Sequence, residues 1–351
     1  MSQLVSESNM DNRLPGIAFI VGMGRSGTTL LTSMLNMNPE IISTPENEFI
    51  LFSYHPYVFK NFNNPKVVKS FIAIFNYNFN NVITIWKPKS IDKDVLKLKI
   101  KSYANMCKLV YLNYPLSHKE KSAVKWVIDK NPSYSLQISK LNNVFPDAKY
   151  IVIVRDYRDN IVSRNKYSDT PVSIYNLAAA WNYFYDKIYE SIAQNNLSYH
   201  LVRYEDLVSF PTETLQKICN YLNVTFTEEM LKFQDFSKHL KAHAKENISE
   251  EKFKKISSMH SNLDNEVNSK RVDAYLDVLS ISDISILDYV CSNYAHKFNY
   301  EKSEITVKQI SISEKLKYKL AYAQVVVFNF LKTVYYKFPV SFRLIFKQKV
   351  S

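Results

Sequence analysis

The chain has 351 residues, of which 46% are hydrophobic and 22% are charged, and its formal net charge is +12. This composition is typical of a globular protein, and the length suits one large α/β domain with an appendage or two small domains. The charge indicates an anionic partner. Because the lysines are spread along the whole chain, we expect a nucleotide, an anionic polymer or a membrane surface rather than nucleic acid.

The N-terminus and the cysteines favour a cytoplasmic protein. Residues 1–14 are polar and lack the apolar run of a signal peptide or a membrane anchor, so we expect a flexible N-terminus. Cys107, Cys219 and Cys291 are far apart and odd in number, and none forms a paired metal-ligand motif. The sequence therefore predicts buried, reduced thiols and no metal site.

The glycines are concentrated behind the first predicted strand. The chain has four glycines, and three lie in residues 22–29, between an apolar strand predicted over 17–21 and a helix that begins at about Thr28. Glycine lets backbone N–H groups turn toward an anion, and a helix N-terminus adds unpaired donors and a positive dipole end. This pattern predicts a phosphate-binding loop that comprises Gly24, Arg25, Ser26, Gly27, Thr28 and Thr29.

The loop differs from that of the nucleotide triphosphatases. Gly22 and Gly27 have the spacing of G-x-x-x-x-G-K-[ST], but Thr28 stands where that motif has lysine, and the cation is Arg25. Without a lysine that reaches the β and γ phosphates, a kinase or ATPase is disfavoured. A donor with a shorter phosphate chain fits better.

Strand-like and helix-like segments alternate along the rest of the chain. Further strands are predicted over 41–43, 123–129, 149–154 and 198–203, and helices over 28–37, 133–143, 157–166, 172–194, 212–221 and 281–298. This alternation predicts an α/β fold, a P-loop-type three-layer α/β/α arrangement with a central parallel sheet of about five strands. Ligands then bind beyond the carboxyl ends of the strands.

Three segments fall outside this alternation. Residues of about 50–121 are rich in Phe, Tyr and Asn and predict a helical insertion that forms an acceptor-side wall. Residues 238–270 are polar and contain three histidines, which suggests a mobile segment. Residues 301–351 form a basic, aromatic, amphipathic C-terminal helical extension that either lies on a membrane surface or packs on the core or on a partner chain.

The loop sequence Arg25-Ser26-Gly27-Thr28-Thr29-Leu30-Leu31 resembles the 5′-phosphosulfate loop of the sulfotransferases. These enzymes transfer a sulfuryl group from 3′-phosphoadenosine 5′-phosphosulfate (PAPS) without a metal ion. The resemblance is strongest to the branch of the tyrosylprotein and bacterial carbohydrate sulfotransferases. It implies a sulfotransferase domain over residues 15–300 with PAPS as its co-substrate and adenosine 3′,5′-bisphosphate as the product.

The resemblance also implies catalytic roles for Glu46, Lys130 and Arg25. Glu46 matches the family's general base, and Lys130, in Asp129-Lys130-Asn131-Pro132, matches the lysine that neutralises charge on the leaving nucleotide. Arg25 shares this second role, and Asp129 is placed to orient Lys130. Alternatives for the base are Glu48, His55 and His118.

Further residues match the family's nucleotide-binding elements. Arg155 and Ser163, eight residues apart, match the element that binds the 3′-phosphate, and Tyr204 matches a tyrosine near the adenine. Either Lys270 or Arg271 belongs to a late loop that closes over PAPS. Arg158 and Arg164 are interpreted as ion-pair or helix-surface residues, and Trp181 as a core residue.

We therefore expect a bacterial, cytoplasmic sulfotransferase whose hydroxyl acceptor is a carbohydrate or a glycolipid. A homodimer is compatible with this assignment. Peripheral contact with the inner face of a membrane through the C-terminal extension is compatible with this assignment. Protein tyrosine is an alternative acceptor. A P-loop kinase and a nucleotide-binding module without sulfuryl transfer are the alternatives from other classes.

Overall fold

The structure, a computed structural model, describes residues 14–81, 95, 100–114, 124–168, 170–247, 249–259, 261–304 and 309–338. A five-stranded parallel sheet lies at its centre, in the order β2-β3-β1-β4-β5. The strands are β1 (Gly16–Val21), β2 (Ile41–Thr44), β3 (Trp126–Lys130), β4 (Lys149–Val154) and β5 (Tyr199–Arg203). The predicted α/β fold with a central parallel sheet is thereby confirmed.

The helices connect the strands and extend the chain beyond the sheet. Those of the described residues are α1 (Thr28–Asn36), α2 (Phe49–Tyr57), α3 (Pro65–Asn81), α4 (Tyr103–Leu112), α5 (Ile138–Val144), α6 (Tyr157–Lys166), α7 (Ile174–Gln194), α8 (Tyr204–Ser209), α9 (Pro211–Leu222), α10 (Gln234–Asn247), α11 (Glu250–Met259), α12 (Ile281–Val290), α13 (Ser292–Lys297) and α14 (Ile312–Lys337). In this part of the chain no helix is long and apolar enough to cross a membrane.

Alternate strand residues enter two separate apolar cores, because successive side chains of a strand point to opposite faces of the sheet. Phe19, Val152 and Val154 belong to one core, which also holds the fully buried Trp181. Ile20 and Ile153 belong to the other, with side chains of α1 and α9. Both faces of the sheet are therefore covered, which explains why the strands are continuous apolar runs in the sequence.

Two predicted helices are interrupted. A 3₁₀ segment, Pro132–Leu136, precedes α5 where one helix was predicted over 133–143, because Asn131 caps the segment and Ser135 bonds to the backbone of Gly22. The helix predicted over 281–298 divides at Cys291, whose φ of −97° and ψ of 2° interrupt the helical backbone.

The aromatic segment after β2 forms helices α2, α3 and α4. Among its described side chains, Phe49, Phe71, Tyr103 and Tyr111 are fully or almost fully buried, and their rings pack against one another. These rings are therefore part of the core and are not available to stack on an acceptor. Phe59 is 92% exposed.

Helices α10 and α11 cover about the first two thirds of the segment predicted to be mobile, residues 238–270. Phe236 and Ser237 of α10 are buried, and Lys241 lies one turn further along the same helix. Apolar burial on one face of α10 therefore overrides the polar composition of this segment. Several sequence predictions lie outside the described residues: those for residues 1–13, 82–94, 96–99, 115–123, His260 and 339–351.

Candidate functional site

The loop between β1 and α1 lies at the carboxyl edge of the sheet and is closely packed. Gly27 occupies the N-cap position of α1 with a φ of 87°, and a Cβ at this position would lie 2.4 Å from Cδ2 of Tyr204. At Gly22, with a φ of 154°, a Cβ would lie 2.2 Å from the carbonyl oxygen of Ile153. Both positions therefore require glycine, which explains why the scarce glycines are placed here.

Two side chains that the sequence analysis missed hold this loop. The Ser135 hydroxyl accepts a hydrogen bond from the Gly22 N–H at 2.8 Å, and the Asn160 Nδ2 donates to Gly24 O and to Ser26 Oγ, each at 3.0 Å. Ser26 is fully buried and does not line the cavity, so its side chain stabilises the loop rather than facing a ligand. In the sequence, the only indication of these roles is that Ser135 and Asn160 carry polar side chains a few residues after strands β3 and β4.

Lys130 and Glu46 form an ion pair beside the N-terminus of α1. Lys130 Nζ lies 2.5 Å from Glu46 Oε1 and 3.3 Å from Thr29 Oγ1. The lysine side chain is 3% exposed and the glutamate 49% exposed. The two residues come together because β2 and β3 are neighbours in the sheet, Lys130 is the last residue of β3, and Glu46 lies two residues beyond the end of β2. A buried ammonium group and an accessible carboxylate are thus held in direct contact.

Arg25, within the loop, lines the same cavity as this pair. Its Nε donates to Ser163 Oγ at 3.3 Å, and its guanidinium group lies 4.3 Å from the centroid of the Tyr167 ring. Burial lowers the pKa of Arg25, and the neighbouring positive charges of Arg271 and Arg155 lower it further. This crowding of cations would be relieved by a bound anion.

Arg155 follows β4 and is almost completely buried. Its Nη1 donates to Arg25 O at 3.3 Å, its Nη2 donates to Arg271 O at 2.6 Å, and its guanidinium group lies 4.6 Å from the centroid of the Tyr204 ring. Nε has no hydrogen-bond partner among the described residues. Arg155 therefore joins the loop to the later segment and keeps one buried donor for a ligand.

Asp159 positions the segment that carries Arg271, a role that the sequence analysis missed. Its carboxylate accepts hydrogen bonds from the backbone N–H groups of Asp273 and Tyr275 at 3.0 and 2.9 Å. Burial raises the pKa of Asp159 to about 6, although Arg155 opposes this shift. Arg271 consequently lines the cavity, whereas Lys270 is exposed and does not line it. Of the two predicted residues, the fold brings only Arg271 to the site.

These residues surround a cavity of about 510 Å³. Among the described residues, five cationic and two anionic side chains line it, namely Arg25, Lys130, Arg155, Lys241, Arg271, Glu46 and Glu266. Apolar side chains complete its wall: Leu30, Val208, Phe233, Phe236, Phe253, Leu263 and Val267. The positive excess and the apolar wall fit a ligand that has anionic groups and an aromatic base, which is the composition of PAPS.

Asp129 does not pair with Lys130, contrary to the role suggested for it. Neighbouring residues of β3 point to opposite faces of the sheet, and Asp129 accepts a hydrogen bond from the Tyr111 hydroxyl instead. Its Oδ1 has no hydrogen-bond partner in the described part of the chain. Burial raises the pKa of Asp129 to about 7.

The other candidate residues that the structure describes do not line this cavity, and one of them forms a buried ion pair. Glu48 and His55 are not among the residues that line this cavity, and His118 lies outside the described residues. Arg158 is buried and pairs with Asp156 at 2.6 Å, as an ion-pair residue should. No group of three or more His, Cys, Asp or Glu side chains that could hold a metal ion occurs among the residues described, and the absence of a metal stays a prediction.

A second cavity has a volume of about 560 Å³. Glu46 and Pro132 line the first cavity, while Glu48 and Ser133, their near neighbours in the chain, line the second. Its other polar and aromatic lining includes Gln137, Tyr183, Asp186, Glu190, Tyr322 and Asn329. Carboxylates, amides and rings together can bind a polyhydroxylated molecule.

Comparison with known proteins gives one family. The family model described as the sulfotransferase family matches residues 16–228, which is more than half of the chain. A protein-tyrosine sulfotransferase of Drosophila melanogaster is 26% identical over 64% of this chain and 41% of its own length. Protein-tyrosine sulfotransferase A of Caenorhabditis elegans is 24% identical over 65% of this chain and 56% of its own length. The matched part of the chain thus spans less than two thirds of these curated relatives.

Two solved structures share the fold. The sulfotransferase domain from the curacin biosynthetic pathway has a TM-score of 0.53 and 22% identity, and the match covers 83% of this chain and all of that domain. The sulfotransferase domain from the Synechococcus PCC 7002 olefin synthase has a TM-score of 0.50 and 20% identity, with coverage of 83% and 97%. At these identities, the likeness establishes the arrangement of the sheet and helices.

Proposed function

Because this chain belongs to the sulfotransferase family, we propose that it transfers the sulfuryl group of PAPS to a hydroxyl group of a carbohydrate or glycolipid. The observation that carries the proposal is the pairing of Glu46 with Lys130 at a loop where Arg25, Arg155 and Arg271 also meet. An accessible carboxylate beside several fixed cations suits the transfer of an anionic group to an alcohol.

The residues that would hold PAPS fall into two groups. The loop from Gly24 to Thr29, with the first-turn N–H groups of α1, would bind the 5′-phosphosulfate. Arg155 and Ser163 would bind the 3′-phosphate, since Nε of Arg155 is a buried donor without a partner among the described residues. Tyr204 and the apolar wall would surround the adenine.

Bound PAPS supplies an activated sulfuryl group whose departure leaves negative charge on the 5′-phosphate. Glu46 accepts the proton of the acceptor hydroxyl, because its half-exposed carboxylate can be reached by that hydroxyl. Lys130, held by Glu46 and Thr29, and Arg25, held by Ser163, stabilise the charge on the departing phosphate. Their positions are set before the ligand binds, so little reorganisation is needed at the moment of transfer.

The second cavity supports a carbohydrate acceptor. Glu48 and Glu190 can accept hydrogen bonds from sugar hydroxyls, and Tyr183 and Tyr322 present rings of the kind on which sugars stack. Asp186 already accepts hydrogen bonds from the hydroxyls of Tyr294 and Tyr322. Glu48 of this cavity lies two residues after Glu46 in the chain. We therefore expect an acceptor that fills the second cavity to extend toward Glu46.

A tyrosine side chain of a polypeptide is the second candidate acceptor. The observation that favours it is the likeness to relatives named protein-tyrosine sulfotransferase. The same Glu46 and Lys130 pair would serve a phenol, whose proton is easier to remove than that of an alcohol.

Calorimetric titration tests the donor site. We expect adenosine 3′,5′-bisphosphate to bind much more tightly than ADP, with or without Mg²⁺, because the site offers a separate cationic residue, Arg155, for the 3′-phosphate. A preference for ADP with Mg²⁺ would overturn the proposal and favour a P-loop kinase. Binding without turnover against every acceptor would favour a nucleotide-binding module.

Transfer of radiolabelled sulfate from PAPS tests the acceptor. Oligosaccharides, glycolipids and tyrosine-containing peptides are compared at equal concentration. Label in the sugars supports the first proposal, while label in the peptides alone assigns tyrosine as the acceptor. Glu190→Gln in the second cavity should raise KM for a sugar acceptor and leave the affinity for adenosine 3′,5′-bisphosphate unchanged.

A further inference from the structure

Among the described residues, helix α14 packs along one face on α7. The Tyr318 hydroxyl accepts a hydrogen bond from Asn182 at 2.6 Å, and the Tyr322 hydroxyl donates to Asp186 at 2.5 Å, both on α7. Ala321, between them, is 4% exposed. These contacts fix the rotation of the helix about its axis and therefore determine which side chains face outward.

The outward face of α14 is apolar. Leu316, Leu320, Val327 and Leu331 follow one another at intervals of four, seven and four residues, which places them on one side of a helix. Their exposed fractions are 56, 58, 56 and 59%. Ile312 and Phe338 extend this row and are also exposed. We call these six residues the outer row.

Lysines border the outer row on both sides. At 100° per residue, Lys317 lies along one edge, and Lys319 and Lys337 lie along the other. All three are exposed. From residue 315 to residue 338 the sequence contains five lysines and no aspartate or glutamate. This helix surface therefore combines exposed apolar side chains with positive charge.

We propose that the outer row docks α14 on the surface of an anionic lipid bilayer, with the helix axis parallel to the membrane. The apolar side chains would enter the boundary between headgroups and acyl chains, and the bordering lysines would contact anionic headgroups. An antiparallel or parallel pair of these helices from two copies would instead bring lysines of the same charge together, which disfavours self-association. The proposal does not depend on the acceptor.

Vesicle sedimentation with the full chain tests this proposal. The vesicles consist of phosphatidylcholine alone or mixed with phosphatidylglycerol. We expect binding to the mixed vesicles that weakens with salt, and at least a tenfold loss of binding in Leu320→Glu/Val327→Glu. Lys317→Glu/Lys319→Glu should weaken binding to the mixed vesicles specifically.

The matched control is Phe210→Glu, since Phe210 is 59% exposed at the junction of α8 and α9. It should bind the vesicles like the unchanged protein. Thermal unfolding of each variant establishes that the fold is retained. Equal vesicle binding by all variants would overturn the proposal. So would a concentration-dependent dimer, measured by sedimentation velocity without lipid, that Leu320→Glu/Val327→Glu abolishes.

Discussion

Lys130 Nζ and Glu46 Oε1 lie 2.5 Å apart, although the two residues are 84 positions apart in the chain. The lysine is nearly buried, and the carboxylate is half exposed. The pair means that a residue assigned to the acceptor and a residue assigned to the donor are held as one unit. Proton acceptance by Glu46 would weaken this ion pair, so the ammonium group of Lys130 would interact more strongly with the phosphate.

Glu46→Gln should abolish transfer and leave nucleotide binding intact. The amide keeps the shape of the side chain but cannot accept the proton of the acceptor hydroxyl, so we expect kcat to fall by about 10²- to 10⁴-fold. Radiolabel transfer gives kcat, and calorimetry gives the affinity for adenosine 3′,5′-bisphosphate. Glu213→Gln, at an exposed glutamate of α9, is the control. Full activity of Glu46→Gln together with inactive Glu48→Gln would assign the base to Glu48.

Arg155→Ala should weaken binding of adenosine 3′,5′-bisphosphate by about 10- to 100-fold, because a buried, charged hydrogen-bond donor is lost. Binding of adenosine 5′-phosphosulfate, which has no 3′-phosphate, should change less. Lys270→Ala is the control, since that side chain is exposed and does not line the cavity. Equal losses for both nucleotides would mean that Arg155 acts by supporting the loop rather than by contacting the 3′-phosphate.

Gly27→Ala should destabilise the protein by about 1–3 kcal/mol, because the new Cβ would meet the Tyr204 ring and a φ of 87° strains a residue with a side chain. Gly24→Ala is the matched change in the same loop, since a Cβ there has no atom within 4 Å among the described residues. Urea unfolding compares the two variants. Equal stability of both would contradict the close packing of Tyr204 on the loop.

Asp129→Asn should alter the pH dependence of stability. The folded state raises the pKa of Asp129 from 3.8 to about 7, so the folded state binds this proton more tightly than the unfolded state does. The contribution of Asp129 to the free energy of unfolding therefore falls as the pH rises from about 4 to 7, and asparagine removes that loss. The variant should gain about 1 kcal/mol per pH unit relative to the unchanged protein in this interval.

Urea unfolding at several pH values between 5 and 8 measures this gain. Asp147→Asn, at an exposed carboxylate, measures the effect of the substitution itself. A stability difference between Asp129→Asn and the unchanged protein that stays constant with pH would show that Asp129 ionises normally when buried.

The sequence alone determined the parts that depend on local pattern. Apolar runs located all five strands, and the glycine spacing located the loop at Gly22 and Gly27, because these signals lie within a few neighbouring residues. Since the strands are parallel, their carboxyl ends share one edge of the sheet. This explains why Glu46, Lys130 and Arg155, each at or just after the end of a strand, could be placed near one another in advance.

Only the tertiary structure decided which of those side chains meet and what holds them. Ser135, Asn160 and Asp159 support the site through hydrogen bonds to residues more than 110 positions away, and no local pattern encodes such contacts. The same holds for α14, whose composition suited either a membrane or the core. Its attachment through Tyr318 and Tyr322 set the rotation of the helix, and this rotation turned the apolar outer row toward solvent.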